Sequence, residues 1–230
     1  MTANYNTNMQ TKCCRAITSF VLLIAIVASQ VTVAFAAGQR FTDVEPGFWA
    51  ATYIEQAAEK GYVSGTSSTT FAPNKTVTNA EWITMITRAF YTKSVEAAAQ
   101  YNEGGAWWRP YAETAYIKGI LKGTTVLAPR DSENAEWDDT INAGISRYDM
   151  AQILYNVMTT ETTKTPDSAA IAAAQQKIGD WDTIPANYQT AVAACYAAKL
   201  LTGTDSRGTF GGTSVMTRAQ AAVVLCRITD

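Results

Sequence analysis

The chain has 230 residues, of which 47% are hydrophobic and 17% are charged, and its formal net charge is −2. This hydrophobic content is enough for a packed core and excludes a wholly disordered chain. The chain contains no histidine, which excludes Ser-His-Asp and Cys-His catalysis and histidine-ligated metal sites. The nearly neutral charge also predicts no basic surface of the kind that nucleic acid requires.

Residues 1–36 have the layout of a secretory signal peptide. Two basic residues precede an apolar run over residues 16–28, and Ala34 and Ala36 occupy the positions that a signal peptidase reads. We therefore expect cleavage after Ala36 and export from the cell. A spanning helix needs about 20 apolar residues, so the alternative of an uncleaved membrane anchor fits this run less well. No membrane contact is expected after cleavage.

Cleavage would leave two of the four cysteines, Cys195 and Cys226. In an exported chain these two residues could form a disulfide. Their apolar surroundings, rich in alanine and valine, favour the alternative of two buried free thiols. Without histidine, two distant cysteines do not make a zinc site, and the acidic stretches lack EF-hand spacing. We therefore expect no metal and no cofactor.

One structural unit is repeated three times along the rest of the chain. The first copy, residues 41–90, begins with a Phe-Thr-Asp-Val motif and Trp49, and a helix is predicted over residues 50–60. A Gly-Tyr-Val-Ser-Gly motif follows at residues 61–65, and a loop then leads to a second helix that begins after Thr78. Each copy is therefore predicted to be helix, loop and helix.

The second copy, residues 106–158, has the same order but a longer loop. The extra residues form an acidic insertion near residues 130–142, in which we expect Trp137 to pack as Phe71 does in the first copy.

A connector over residues 159–177 leads to the third copy, residues 178–229. Residues 169–177 of this connector have the composition of a helix, and the rest is predicted to be a solvated linker.

The position that follows the first helix of each copy requires a positive φ angle, which glycine adopts most readily. The residues at this position are Gly61, Gly119 and Lys199.

Each second helix begins with a capping box, in which Ser or Thr stands three residues before Glu, Asp or Gln. The pairs are Thr78 with Glu81, Ser146 with Asp149, and Thr217 with Gln220. Apolar residues then recur at the spacing i, i+3, i+4 and i+7, so each helix buries one face. Trp82 lies on the first of these faces and is expected in the core. Three related faces predict a mainly α fold with a central three-helix bundle of approximate threefold symmetry.

These motifs resemble S-layer homology (SLH) repeats. The resemblance is carried by residues 41–44 with Trp49, by residues 61–65 and 71–74, and by the Thr-Arg-Ala-Gln cap at 217–220. It implies three helix-loop-helix SLH repeats that form a pseudo-threefold, three-pronged spindle. It also implies a secreted protein of the bacterial cell surface, cell wall or S-layer. Such a protein is held non-covalently by secondary cell-wall polysaccharide, which binds in grooves between the repeats. The bound sugar of such repeats often carries a pyruvate ketal.

Arg147 and Arg218 directly follow a capping hydroxyl, where a cation opposes the helix dipole. Stability alone would favour an acidic residue there. We therefore expect the guanidinium and the free N–H groups of the first turn to bind a pyruvate carboxylate. The alternative is that each arginine forms an ion pair with a nearby carboxylate, such as Asp149 or Asp180. The first copy has Asn79 at this position, which predicts a weak or altered groove.

The predicted ligand-binding residues share a place at the caps or before the first helices. They are Arg147, Arg218, Asn79, Thr78, Ser146, Thr217, Asp43, Asp180, Trp49, Trp107 and Tyr188. An aromatic ring can stack on the C–H face of a pyranose, but each aromatic residue could instead anchor the core, and Trp108 or Trp181 could take the stacking role. Each aspartate could orient an arginine, accept from a sugar hydroxyl, or cap the following helix.

Two other functions are compatible with the sequence. A wall-glycan hydrolase needs only two carboxylates, and acidic residues cluster over 133–139. Because the repeats occupy nearly all of the chain after residue 36, we expect no enzyme. The other alternative is a surface adaptor or S-layer-associated module that binds another exported protein, with the insertion of the second copy as the partner surface.

Overall fold

The computed structural model describes residues 40–102, 104–126 and 140–230, and in these ranges the chain forms eight α-helices and no strand. The mainly α fold class is therefore confirmed. None of the described helices is long and apolar enough to cross a membrane. The predicted signal peptide and Trp137 lie outside the described residues.

The helices follow the predicted order of the copies. They are α1 (Ala51–Glu59), α2 (Asn79–Phe90), α3 (Thr92–Ala99), α4 (Arg109–Ile117), α5 (Arg147–Glu161), α6 (Ser168–Gln175), α7 (Ala186–Ala197) and α8 (Arg218–Thr229), with a short 3-10 helix at Trp181–Thr183. Helix α6 confirms the helical prediction within the connector. Helix α3 lies where no helix was predicted.

Helices α2 and α8 begin with the predicted capping boxes, whereas α5 forms only half of one. Thr78 accepts from the Glu81 amide at 3.2 Å, and the Glu81 carboxylate accepts from the Thr78 amide at 3.0 Å. Helix α8 has the same reciprocal pair between Thr217 and Gln220. In α5, Ser146 accepts from the Asp149 amide at 3.0 Å, while the carboxylate accepts from the Ser146 hydroxyl instead.

The apolar faces of the three capped helices lie in a single hydrophobic core, and Trp82 is fully buried there as predicted. Each capped helix packs against the first helix of the next copy: α2 contacts α4, α5 contacts α7, and α8 contacts α1. The order of these contacts is therefore cyclic. The central bundle and the three-pronged shape stay predictions.

Cys195 and Cys226 are buried free thiols. The Cys195 thiol lies 3.4 Å from the Ala151 carbonyl, and burial raises its pKa. The disulfide considered from the sequence is therefore absent, and the alternative of two buried thiols is confirmed.

The residue after the first helix of each copy has a positive φ angle, as predicted. The angles are 75° at Gly61, 73° at Gly119 and 57° at Lys199. Lys199 therefore adopts a conformation that is strained for a residue with a side chain.

Two substitutions at this position are expected to change stability in opposite directions. Gly61→Ala should lower the free energy of unfolding by about 1 kcal/mol. A Cβ atom at Gly61 would meet no atom within 4 Å, so this loss reports backbone strain alone. Lys199→Gly should raise stability by up to about 1 kcal/mol. Urea unfolding measures both, and a loss of stability in Lys199→Gly would contradict the account.

Candidate functional site

The three caps are joined into a ring by backbone pairing. We call residues 76–79, 144–147 and 215–218 the cap ring. Isolated bridges pair each of these segments with both of the others: Thr76 with Thr217, Thr78 with Gly144, and Ser146 with Val215. The beginnings of α2, α5 and α8 are therefore fixed relative to one another.

The first backbone amide of each capped helix donates a hydrogen bond to a carbonyl of another copy. The Asn79 amide donates to the Ala143 carbonyl, the Arg147 amide to Ser214, and the Arg218 amide to Lys75, each at 2.9 Å. The third amide of each helix donates to its capping residue. The second amides of α5 and α8, at Tyr148 and Ala219, donate to the Gly212 and Pro73 carbonyls. The expectation of free N–H groups beside Arg147 and Arg218 is therefore wrong, because neighbouring copies and the capping residues supply the acceptors.

The Arg147 side chain is buried under the loop of the third copy and is only 5% exposed. Its Nε donates to the Phe210 carbonyl at 2.8 Å and its Nη2 to the Thr202 carbonyl at 2.7 Å. The guanidinium also lies 4.7 Å from the centre of the Phe210 ring. Burial lowers the pKa of Arg147, yet arginine stays protonated in proteins. The Arg147 guanidinium, which was expected to bind a carboxylate, therefore holds the loop of the third copy in place.

Arg218 makes the equivalent contacts to the loop of the first copy and is 4% exposed. Its Nε donates to the Phe71 carbonyl at 2.8 Å and its Nη2 to the Ser64 carbonyl at 2.6 Å. The guanidinium lies 4.6 Å from the centre of the Phe71 ring. Its Nη1 is 4.0 Å from a Glu81 oxygen. The alternative of an ion pair with a nearby carboxylate is therefore met at Arg218 by Glu81, whereas among the described residues neither arginine forms an ion pair with Asp149 or Asp180.

Asp43 and Asp180 accept hydrogen bonds from backbone amides of the same two loops. Asp43 accepts from the Phe71 and Ala72 amides at 2.8 and 2.7 Å. Asp180 accepts from the Phe210 and Gly211 amides at 2.6 and 2.9 Å. Neither the 3-10 helix nor α1 has a side-chain cap, so the capping alternative is wrong. Each carboxylate fixes the loop residue whose carbonyl an arginine binds.

Replacing Asp43 by asparagine is expected to weaken this clamp in a pH-dependent way. Burial by itself raises the pKa of Asp43, but the hydrogen bonds from the Phe71 and Ala72 amides outweigh it and hold the pKa below its ordinary value. A lowered folded-state pKa stabilises the fold above the ordinary carboxyl value of about 3.9, and this stabilisation disappears as the pH falls through the folded-state value. Asp43→Asn should therefore cost about 1 kcal/mol at neutral pH.

The measurement is urea unfolding of wild type and Asp43→Asn at neutral pH and at about pH 2. The difference between the two proteins should shrink in acid. Asp182→Asn, at an exposed position, serves as the control for removal of a surface charge. A difference that is equally large at both pH values would contradict the clamp.

Asn79 takes the place of the arginines in the first copy. Its Nδ2 donates to the Thr140 carbonyl of the second copy at 2.7 Å, so Asn79, Arg147 and Arg218 each reach a backbone carbonyl of another copy. Asn79 is 6% exposed, and its Oδ1 has no hydrogen-bond partner. Between the first and second copies, one neutral hydrogen bond thus replaces the two charge-assisted hydrogen bonds that each arginine makes.

Asp149 is the centre of a buried network that the sequence did not predict. Its carboxylate accepts from the Thr125 amide and hydroxyl at 2.8 and 2.7 Å, from the Ser146 hydroxyl at 2.9 Å, and from the Tyr188 hydroxyl at 2.8 Å. Tyr188 is buried and stacks on Tyr148 with 4.9 Å between ring centres. Burial, together with the hydrogen bond to Asp149, raises the pKa of Tyr188. Tyr188 is therefore a core anchor rather than an open stacking surface.

A cavity of about 400 Å³ opens beside the cap ring. Its wall contains residues of all three copies, among them Asn79, Ser146, Tyr148, Asp149, Tyr188 and Thr213. We call it the Asn79 groove. It brings together three of the predicted site residues. Among the described residues, no three acidic or cysteine side chains form a cluster that could hold a metal ion.

Trp49 and Trp107 occupy equivalent positions, two residues before α1 and α4, and each is 59% exposed. The core-anchor alternative is therefore wrong for these two residues. Trp108, by contrast, is buried, and Trp181 is partly buried against the core. Neither Trp49 nor Trp107 lines the Asn79 groove, so the structure offers two separate kinds of surface.

Comparison with known proteins identifies the first and third of the repeated units. The model of the S-layer homology domain matches residues 40–81 and 177–222, which contain the Asp43 and Asp180 clamps. The chain is 29% identical over 198 residues to an amylopullulanase of Thermoanaerobacterium thermosulfurigenes, covering 84% of this chain and 10% of the relative.

Two further relatives are 32% identical. One is an S-layer protein of Bacillus thuringiensis subsp. finitimus, with 44% of this chain and 12% of the relative covered. The other is a cellulosome-anchoring protein of Acetivibrio thermocellus, with 36% and 20% covered.

The chain thus spans a fifth or less of the length of each of these relatives. The enzyme among them matches through its SLH region alone. Similarity to S-layer proteins places the chain at the cell surface. The chain thus contains S-layer homology domains at residues 40–81 and 177–222, and each of them includes one of the paired loop clamps.

Proposed function

We propose that this chain binds secondary cell-wall polysaccharide and so attaches non-covalently to the bacterial cell wall. The observation that carries the proposal is the SLH match at residues 40–81 and 177–222. The name of the cellulosome-anchoring relative supports the same role. Trp49 and Trp107 supply exposed indole rings, on which the C–H face of a pyranose can stack.

The proposed sugar carries a pyruvate ketal, and Arg147 and Arg218 act on it through charge and loop position. Each guanidinium group donates two hydrogen bonds to backbone carbonyls. A bidentate contact with a carboxylate would therefore have to break these bonds. The positive charge remains in each loop, where it attracts a carboxylate that approaches from outside. Both residues are thus positioning residues in this proposal.

Binding to purified wall sacculi tests the proposal through the exposed tryptophans. Trp49→Ala and Trp107→Ala should each weaken co-sedimentation roughly fivefold to tenfold, because each removes one stacking surface. Neither change should alter the unfolding midpoint much, since both side chains are mostly in solvent. Tyr101→Ala, which removes another highly exposed aromatic ring, is the matched control.

Wild-type binding by both tryptophan variants would contradict this use of the rings. Mild acid treatment that removes only the ketals tests the finer proposal in the same assay. Affinity should fall on ketal-free sacculi, and an unchanged affinity would remove the ketal from the account while leaving wall binding intact.

A further inference from the structure

The wall of the Asn79 groove differs in charge from the two arginine-clamped loops. Among its described lining residues there is no lysine and no arginine, and Asp149 is the one charged side chain. The carboxylate of Asp149 is held by four hydrogen bonds from neutral donors. Within the part of the wall that the structure describes, its negative charge is therefore solvated by dipoles and is not neutralised by a cation.

An anionic ligand would be disfavoured in such a groove. Charges interact more strongly in a partly enclosed site than in open water, and a ligand carboxylate would approach Asp149 without a compensating cation. Hydroxyl and amide groups carry no such cost. The groove also contains the half-buried Tyr148 ring and the exposed Thr213, which suit the apolar and hydroxyl faces of a neutral sugar.

Asn79 gives a second, independent indication of a ligand. The residue is more than nine-tenths buried, and its Oδ1 is a buried acceptor without a partner. Such atoms are rare in folded proteins because the lost hydrogen bond is unfavourable. Its Nδ2 is fixed by the Thr140 carbonyl, so the amide cannot satisfy the oxygen by exchanging its two ends. Because the oxygen itself is buried, a sugar hydroxyl or an acetamide N–H completes it by displacing part of the groove wall.

We infer that the Asn79 groove takes an uncharged sugar residue with hydroxyl or N-acetyl donors and excludes a residue that carries a carboxylate ketal. The inference rests on the proposed function, in that it takes the ligand to be wall polysaccharide. It assigns neutral and ketal-bearing sugars to different surfaces of one molecule. Asn79, where the other two copies have arginine, is the residue that sets this difference.

Three glycosides test the inference, each titrated into the chain from residue 37 onward while amide chemical shifts are followed. They are methyl N-acetylglucosaminide, its 4,6-pyruvyl ketal, and the methyl ester of that ketal, which blocks the same two hydroxyls without carrying a charge. The neutral glycoside should shift the amides of Gly144, Tyr148 and Thr213. The ketal glycoside should bind there about tenfold more weakly than its methyl ester, the size expected for one uncompensated charge. Equal or tighter binding of the ketal at these amides would overturn the inference, as would no response to the neutral glycoside.

Two variants place a cation in the groove. Asn79→Arg restores the residue of the other copies and should reverse the preference in favour of the ketal glycoside. Because this change touches the cap ring and could impair folding, Thr213→Arg supplies the same charge from an exposed position. It should strengthen binding of the ketal about fivefold. An unchanged preference in folded Thr213→Arg would contradict a charge-based selection.

Sacculus binding separates this inference from the proposed function. If the chain binds walls but the groove prefers the ketal glycoside, the inference fails and the function stands. If the groove takes the neutral glycoside but the chain binds no wall, the function fails and the sugar selectivity of the groove stands.

Discussion

Replacing Arg218 by alanine is expected to lower the free energy of unfolding by about 3 to 5 kcal/mol. The change removes two charge-assisted hydrogen bonds and leaves the Ser64 and Phe71 carbonyls without their donors. It also removes the stacking on the Phe71 ring and leaves a cavity under a buried loop. Urea unfolding followed by circular dichroism measures the loss, which should appear in the absence of any ligand.

Arg207→Ala is the matched control, because Arg207 is mostly in solvent and pairs only with nearby Asp205. It should change stability little. Arg218→Lys should recover part of the loss, since it keeps the charge but cannot reach both carbonyls in the geometry of a fork. If Arg218→Ala were as stable as Arg207→Ala and lost only wall binding, Arg218 would be a direct ligand residue and the clamp would be wrong.

Replacing Asp149 by alanine is expected to cost about 2 to 4 kcal/mol. Four donors from Thr125, Ser146 and Tyr188 would lose their common acceptor, and each orphaned buried donor is unfavourable. Water in the Asn79 groove can reach part of the gap, which keeps the loss below the sum of four bonds. Thermal and urea unfolding check this value.

Two comparisons show whether burial is the cause. Asp205 also accepts four hydrogen bonds, from Arg207 and Thr209, but lies in an exposed loop, so Asp205→Ala should cost clearly less. Tyr188→Phe removes one of the four donors and should cost about 1 kcal/mol. Equal losses in Asp149→Ala and Asp205→Ala would contradict the importance of the buried network.

The local features of this fold follow closely from the sequence. Capping boxes depend on residues three positions apart, and the pairs at Thr78 and Thr217 form as predicted. The positive φ angle at Lys199 follows from alignment with Gly61 and Gly119. Such features need no knowledge of which segments meet across the molecule.

The roles of the arginines could not be obtained in this way. A cation at the first position of a helix opposes the dipole, and this local conflict correctly marked Arg147 and Arg218 as special. The unfavourable interaction with the dipole is compensated by hydrogen bonds from each arginine to two backbone carbonyls, which lie more than 50 residues away in sequence. One indication was available, because Ser64 and Thr202 each precede the last glycine of the repeated motif. A side chain at Gly65 would collide with the Ser67 carbonyl at 2.3 Å, which explains the glycine beside the carbonyl.

The Asn79 groove was predicted in part. Its departure from the arginine pattern was visible, and an altered groove was expected there. Its composition depends on Thr125, Tyr188 and Thr213, which lie far apart in sequence and meet only because the copies pack in a cycle. The buried network of Asp149 was not predicted, because the sequence indicated a capping box or an ion pair for this residue and its donors Thr125 and Tyr188 lie 24 and 39 residues away.

Co-sedimentation with two preparations of Gram-positive sacculi tests the central claim most directly. One preparation is intact, and the other is stripped of its secondary polysaccharide. We expect the chain from residue 37 onward to sediment with the intact sacculi and to remain in the supernatant when the sacculi are stripped. Equal binding to both would point to peptidoglycan or protein as the ligand, and binding to neither would contradict the anchoring function and favour another exported protein as the partner.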